Sequence, residues 1–136
     1  MIALEEARQK ATAWCNAWNN RDLDAIMTHY AEDVAFSSPT VIARWGLADG
    51  WLHGKAKLRD NFAIGVKAPG LHFELIDVLL GVNAMCVVYR RETGMLVNDL
   101  VEFDEHGHGK RVVACYAETI SAVDNPLWSS GSIIVD

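Results

Sequence analysis

Four strand-like segments follow one another in the second half of the chain, and the connections between them are short. The segments LHFELIDVLLG, AMCVVYRRE, MLVNDLVEF and KRVVACYAETI are rich in the Val, Leu, Ile and Tyr residues that favour strands. The turns GVN, ETG and DEHGHG are too short for a crossover connection, so neighbouring strands must run antiparallel. The sequence therefore predicts an antiparallel meander in this half.

Helical periodicity occupies the first half of the chain. Over residues 3–19, apolar residues recur at spacings of three and four, which places them on one helix face. They are Leu4, Ala7, Ala11, Trp14 and Trp18. The break NNRD, in which Asn20 or Asp22 can cap a helix, predicts a second helix that ends near Ala31. A third helix is predicted over about residues 55–67.

The order of these elements predicts an α+β domain. DVAFSSP predicts a short strand, and residues 40–54, which are rich in Gly and Trp and have no period, predict a loop with a short strand in it. Helices followed by a meander indicate three helices from the N-terminal half packed on one face of a curved, mostly antiparallel sheet. We expect residues 1–136 to form a single domain, with a core over about 3–120 and a tail over 121–136.

Composition excludes some classes of function. The formal net charge is -6 and the basic residues are scattered, which argues against nucleic acid as a partner. No apolar run approaches the roughly 18 residues that a membrane span needs. The N-terminal stretch MIALEEARQK lacks the pattern of a signal peptide. We therefore expect a cytoplasmic protein that binds neither nucleic acid nor membrane.

Patterns for thiol or metal chemistry are weak. Cys15, Cys86 and Cys115 are widely spaced and form no CxxC pattern, which is typical of small apolar residues in a reducing compartment. His106 and His108, two residues apart in HGHG, lack the further ligands of a zinc site and are predicted to lie in an exposed hairpin loop. We expect no metal and no other cofactor.

One carboxyl group stands out because of its position in a strand. In LVNDLVEF, Asp99 shares a face with Val97, Val101 and Phe103. A carboxylate on an apolar face is costly unless it is paired or protonated, and apolar neighbours raise its pKa. Asp99 is therefore either a buried acid/base or a structural group that accepts a hydrogen bond from Trp14 or a tyrosine.

Two segments carry a resemblance to a known family. RDLDAIMTHYAEDVAFSSP and LVEFDEHGHGKRVVACY resemble the helix-to-strand segment and the closing hairpin of the nuclear transport factor 2-like superfamily, especially its SnoaL-like members. The resemblance implies a cone-shaped sheet with helices on its concave side, a deep apolar pocket, and a homodimer formed through the outer sheet face. The superfamily includes polyketide cyclases, ketosteroid isomerases, epoxide hydrolases, dehydratases and binding proteins, so fold alone does not settle the chemistry.

The comparison with ketosteroid isomerases matches one polar group of three. Ser38 stands where the resemblance implies the general-base aspartate, and Trp14 stands where it implies a tyrosine donor. Asp99 matches the protonated aspartate. Tyr30 matches a supporting tyrosine, whereas Phe62 replaces another. Serine cannot replace a carboxylate as base and an indole is a weak donor, so a standard ketosteroid isomerase is not expected.

Two other chemistries remain open. A SnoaL-type cyclase uses one acid/base aspartate, a role that Asp99 could fill with His53 or His72 as a helper. An epoxide hydrolase would need an Asp-Arg-Asp set, for which Asp99, Asp77 and an arginine are available. A three-residue turn containing Gly94 would pair Arg91 with Met95 and place Val87 opposite Asp99, whereas a two-residue turn would favour Arg90. In the alternative without a catalytic role, the Arg90 and Arg91 side chains lie at the solvent-exposed end of the hairpin.

Alternation along the strands and the resemblance together nominate a set of pocket residues around the catalytic candidate Asp99. They are Trp14, Trp18, Tyr30, Phe36, Ser38, Phe62, Met85, Val87, Tyr89, Val101 and Tyr116. We expect this pocket to bind a small, largely apolar molecule and, as the first hypothesis, to support cofactor-free lyase, cyclase or isomerase chemistry. The alternatives are a non-catalytic ligand-binding or dimeric interaction protein of the same fold and, third, an epoxide-hydrolase-like enzyme.

Overall fold

A computed structural model describes residues 1–118, which form four helices and six strands. The helices are α1 (Leu4–Asn19), α2 (Leu23–Met27), α3 (Pro39–Trp45) and α4 (Lys55–Gly65). The strands are β1 (Tyr30–Ser37), β2 (Trp51–His53), β3 (Phe73–Leu80), β4 (Ala84–Arg91), β5 (Leu96–Phe103) and β6 (Gly109–Tyr116). The predicted C-terminal tail lies outside the described residues.

The six strands form one open sheet in the order β2-β1-β6-β5-β4-β3. The pairing of β1 with β6 is parallel, and the other pairings are antiparallel. Irregularities within the β3–β4 and β5–β6 ladders increase the local bend of the sheet. The predicted α+β class with a curved, mostly antiparallel sheet is confirmed.

Helix α1 packs its small and aromatic face against the sheet. Ala7 and Ala11 are fully buried, and Trp14 and Trp18 lie below them in the same core. At the end of the helix, the Asn19 side chain donates to the Phe73 carbonyl at 2.9 Å and accepts from the Phe73 N–H at 2.7 Å. This pair of bonds satisfies backbone groups at the start of the edge strand β3 and ties the helix to it.

The prediction of a loop over residues 40–54 is wrong for the first half of this segment, because helix α3 forms there. Ser38 caps this helix by accepting from the Thr40 N–H at 3.2 Å, Pro39 occupies its first turn, and Gly46 ends it at φ 68°. Serine-proline followed later by glycine is a start and stop signal for a short helix. The short strand expected in this segment is present as β2.

The second helix is shorter than expected. It ends at Met27, and Tyr30 and Ala31 belong to β1. Tyr30 pairs with Gly109 across the parallel β1–β6 ladder. Helical spacing favoured Tyr30 as part of the helix, but the tertiary pairing outweighs that local preference.

The β4–β5 hairpin has the register that a three-residue turn predicts. The Arg91 N–H donates to the Met95 carbonyl at 2.8 Å, and Gly94 adopts φ 89°. Val87 pairs with Asp99. Side chains alternate across a strand, so Arg91 lies on the same face as Val87 and Asp99 faces the helices.

None of the helices within residues 1–118 combines the length and apolar character needed to cross a bilayer.

Candidate functional site

A cavity of about 230 Å³ lies between α1 and the sheet. Its walls come from α1, the α2–β1 junction, β4, β5 and the β5–β6 turn. The lining residues are Lys10, Trp14, Thr28, His29, Tyr30, Met85, Val87, Asp99, Val101, Phe103, His106, Gly107 and His108. Apolar side chains therefore surround one carboxyl group, while nitrogen-bearing side chains come from three different elements.

Asp99 is the buried ionisable group of this cavity, with only 4% of its surface exposed. Its strand neighbours across the sheet are Val87 and Ala114. Burial raises the pKa of the Asp99 carboxyl from 3.8 to about 7. The Tyr89 hydroxyl, which donates to Oδ1 at 3.3 Å, and the Arg91 charge oppose that rise but do not cancel it. Near neutral pH the group therefore exists in both protonation states.

Tyr30 supplies a second polar group to the same cavity. The Trp14 Nε1–H donates to the Tyr30 hydroxyl oxygen at 2.9 Å. Burial, together with the nearby Asp99 charge, raises the pKa of Tyr30 above its ordinary value, so the phenol stays protonated. Because the hydroxyl oxygen acts as the acceptor in its bond with Trp14, its own proton is left to be donated to another acceptor.

The structure brings together only part of the predicted site. Asp99, Trp14, Tyr30, Met85, Val87 and Val101 line this cavity. The other nominated residues lie outside its lining: Trp18, Phe36, Ser38, Phe62, Tyr89 and Tyr116.

Most of those other residues belong to an aromatic layer in the core. Trp18 stacks on Phe73 with ring centroids 5.0 Å apart, and Phe73 stacks on Tyr89 at 4.6 Å. Phe62 contacts Trp18 edge to face at 5.0 Å and Phe36 at 5.4 Å. Within this layer Phe73 packs against the Tyr89 ring, and this contact holds in place the Tyr89 hydroxyl that donates to Asp99.

Ser38 and Tyr116 lie in a polar region of the interior next to α3. The Ser38 hydroxyl bonds to the Thr40 hydroxyl at 2.8 Å in addition to capping α3. Burial raises the pKa of Tyr116, against the opposing effects of the Arg91 and Arg44 charges and a hydrogen bond with Ser38. Ser38 is therefore engaged in structural hydrogen bonds.

Arg91 is not the solvated hairpin residue that its sequence neighbourhood suggested, whereas Arg90 is exposed. The Arg91 guanidinium forms two bonds with Glu92, at 2.9 and 3.0 Å, and lies 4.8 Å from the centre of the Phe73 ring. The inward strand position chosen by the three-residue turn explains this burial.

The Asp-Arg-Asp set of an epoxide hydrolase is not assembled. Asp77 is exposed and pairs across the sheet with Val88, an outward-facing position, so it does not share a face with Asp99. The helper candidates His53 and His72 are exposed as well. Within residues 1–118, no three His, Cys, Asp or Glu side chains are arranged to hold a metal ion.

The residues that sequence reasoning missed lie at the open end of the cavity. Lys10, His29 and Phe103 line it, as do His106 and His108, which were assigned only to an exposed turn. One signal was available: the turn follows directly from the strand that carries Asp99. The approach of Lys10 and His29 from distant parts of the chain left no such local signal.

Comparison with known proteins identifies the family. The model of the SnoaL-like domain matches residues 11–125. The chain belongs to the SnoaL-like domain family. A search of curated proteins finds no match.

Solved structures agree with this family. The SnoaL-like domain is similar to a SnoaL-like protein of unknown function from Burkholderia thailandensis, with 34% identity, a TM-score of 0.82, and coverage of 86% of this chain and 98% of that one. A ketosteroid isomerase-like protein from Kribbella flavida shares 18% identity at a TM-score of 0.66, with coverage of 86% and 82%. A protein with cystatin-like fold from Methylobium petroleophilum shares 12% at a TM-score of 0.67, with coverage of 99% and 95%. The last two likenesses show the fold alone.

Proposed function

We propose that the SnoaL-like domain binds a small, largely apolar carbonyl compound in the cavity beside Asp99 and moves a proton on it without a cofactor. The observation that carries this proposal is a buried carboxyl group, with its pKa raised to about 7, facing an apolar cavity. General acids and bases work best when their pKa lies near the working pH. We propose Trp14, Met85, Val87 and Val101 as contacts for the apolar body.

The proposed step uses groups already in the cavity. Ionised Asp99 takes a proton from the carbon next to the ligand carbonyl, and the electron pair of that C–H bond forms an enolate. The enolate oxygen accepts a hydrogen bond from the Tyr30 hydroxyl, which lowers the energy of the developing charge. Protonated Asp99 then returns the proton to the same or another carbon. An isomerase, a cyclase or a lyase can each begin with this step.

The step can be tested by exchange of carbon-bound protons. In D2O, the native protein is expected to accelerate α-proton exchange of 2-tetralone, a small apolar ketone, with a rate that rises with pH and levels off above about pH 7. Asp99→Asn is expected to lower that rate at least about 100-fold because it removes the base. Proton NMR measures the exchange, and Asp60→Asn, an exposed carboxyl on α4, serves as the matched control with an unchanged rate.

Equal exchange rates in the native protein and Asp99→Asn would contradict the proposal. A second candidate would then gain support, namely a protein of this family that binds its ligand without chemistry. The hydrogen bond within the site favours that candidate, because the Asp99 carboxyl already accepts from the Tyr89 hydroxyl. Saturable binding of the ketone without exchange is the result expected for it.

We also propose that two copies associate through the outer face of the sheet. Half-buried apolar residues adjoin there: Cys86 pairs with Leu100, which pairs in turn with Val113, and Val88 lies beside them. On the same face, the Asn98 Oδ1 has no hydrogen-bond partner within residues 1–118. A second copy would cover this apolar surface.

Light scattering at micromolar concentration is expected to give about twice the chain mass of 15.0 kDa. Val88→Glu places a charge in the proposed interface and is expected to give a monomer. Val82→Glu places the same charge on an exposed turn residue and should leave the dimer intact. A monomeric native protein would contradict the dimer.

The compartment is proposed to be the cytoplasm. Cys15, Cys86 and Cys115 are free thiols, and burial raises the pKa of Cys15 to about 12, which keeps this thiol protonated. Free cysteines suit a reducing environment.

A further inference from the structure

A group of basic side chains surrounds the open end of the cavity. Lys10 comes from α1, His29 from the α2–β1 junction, and His106 and His108 from the β5–β6 turn, and all of them line the same cavity. Their convergence from three elements is notable in a chain whose formal net charge is -6. We call these four residues the basic rim.

Nearby carboxylates do not neutralise the whole basic rim. Asp104 accepts from the backbone N–H groups of His106 and His108 at 2.8 and 2.9 Å, so its carboxylate is used to shape the turn. Glu105 lies 3.6 Å from His106 and faces solvent. Glu105 therefore acts on His106, and the Asp104 charge also acts on His106 and His108. Lys10 and His29 form the part of the rim that these carboxylates do not neutralise.

Lys10 has no acidic partner within residues 1–118. Its ammonium group contacts the Gly107 carbonyl at 3.4 Å and lies 5.9 Å from the centre of the Phe103 ring. Its charge and that of His108 are felt at His29, where they add to the effect of burial and lower the pKa of this imidazole. An anion placed among Lys10, His29 and His108 would meet the Lys10 charge and N–H donors from separate elements.

The distance from the basic rim to Asp99 sets the size of a ligand that reaches both. Phe103 at the rim and Asp99 are four residues apart on β5, which corresponds to about 13 Å. On the opposite wall, Lys10 and Trp14 are one helical turn apart, about 6 Å along the axis. An anionic group would therefore lie roughly 10 Å from the atoms near Asp99.

We propose that the basic rim binds the carboxylate of an amphipathic acid whose apolar body fills the cavity towards Asp99. This inference rests on the proposed use of the same cavity as a ligand site and defines the ligand class more narrowly: an apolar chain or ring system with a carboxylate about 10 Å from the group that meets Asp99. The ligand carboxylate accepts from Lys10 and from His29 or His108. Its apolar part contacts Met85, Val87 and Val101.

Calorimetry with octanoate and 1-octanol tests the proposal, because the two probes share an apolar chain and differ in charge. The native protein is expected to bind octanoate about tenfold more tightly than 1-octanol. Lys10→Met, which keeps the apolar stem of the side chain, is expected to weaken octanoate binding about tenfold and leave 1-octanol binding unchanged. Lys57→Met, an exposed lysine on α4, is the matched control and should change neither affinity.

A second readout does not depend on substitution. Octanoate, but not 1-octanol, is expected to raise the pKa of His29 in an NMR titration, because a bound carboxylate favours the imidazolium form. Equal affinity for both probes, or unchanged octanoate binding in Lys10→Met, would overturn the basic rim as an anion site. Failure of the proton-transfer proposal would give a different result, namely equal rates of ketone α-proton exchange in the native protein and in Asp99→Asn.

Discussion

Asp99→Asn is expected to raise the free energy of unfolding at pH 8 by about 4 kcal/mol relative to the native protein. The carboxyl has a pKa of about 7 in the folded chain, against an ordinary value of 3.8. Between about pH 4 and pH 7, the unfolded chain releases this proton while the folded chain retains it. Native stability therefore falls as pH rises through this window and is level above it with respect to Asp99. Asparagine cannot ionise, so the variant escapes the loss.

Urea unfolding from pH 4 to pH 8 measures this difference. The native protein and Asp99→Asn are expected to be about equally stable near pH 4 and to diverge as pH rises, because other carboxyl groups contribute alike to both. Asp60→Asn, which changes an exposed carboxyl, should follow the native curve. A variant that is less stable than the native protein at pH 8 would show that Asp99 is ionised and held by Arg91 and Tyr89.

This loss of stability bears on function. Asparagine can accept the hydrogen bond that Tyr89 donates, and its uncharged amide avoids the cost of burying a carboxylate. At pH 8 the fold would therefore be more stable with asparagine at position 99 than with aspartate. A buried ionisable group that lowers stability and faces a cavity is the kind of group that active sites contain. The stability of Asp99→Asn and its exchange rate should therefore change in opposite directions.

Phe73→Ala is expected to destabilise the fold by about 3–5 kcal/mol, because Phe73 lies at the centre of the aromatic layer. Its ring is stacked on Trp18 and Tyr89, lies 5.5 Å from the Trp14 ring, and carries the Arg91 guanidinium at 4.8 Å. The side chain is 4% exposed, and its removal leaves a cavity that rigid neighbouring rings cannot fill by moving.

Denaturant unfolding at a fixed pH measures the effect. Phe103→Ala removes the same side chain from a half-buried position at the cavity mouth and should cost about 1–2 kcal/mol. Equal losses in the two variants would contradict the central role of Phe73. Because Tyr89 rests on Phe73, the Phe73 variant should also loosen the hydrogen bond to Asp99, which a carboxyl NMR titration would detect as an altered pKa.

Several features of the site could be predicted because they depend on neighbours in the sequence. Alternation along β5 placed Asp99 with Val97 and Val101, and the three-residue turn containing Gly94 fixed the pairing of Asp99 with Val87. The choice between Arg91 and Arg90 as the inward residue stayed open in the sequence, and the observed three-residue turn decides it for Arg91. These outcomes depend on the two-residue repeat of a strand and on turn geometry, both of which are local.

Other features were wrong or missed because competing local signals had to be weighed. Residues 38–46 carry a serine cap, a proline and a terminating glycine, yet glycine and tryptophan content favoured a loop. Tyr30 suited the spacing of the second helix, but a backbone partner more than seventy residues away, Gly109, places it in a strand. Pairing over that distance cannot be read from a local period.

The sequence by itself determined the α+β class, the antiparallel meander of β3 to β6, the family likeness and the inward direction of Asp99, because hydrophobic period, turn length and side-chain alternation act between near neighbours. Only the tertiary structure decided which inward residues line the cavity and which pack in the core. Trp14 and Trp18 lie one helical turn apart on the same face and both contact the Phe73 ring, yet of the two only Trp14 lines the cavity. Which residues of an inward face reach a cavity depends on how distant segments pack, and the same packing brings Lys10, His29 and His108 to one cavity.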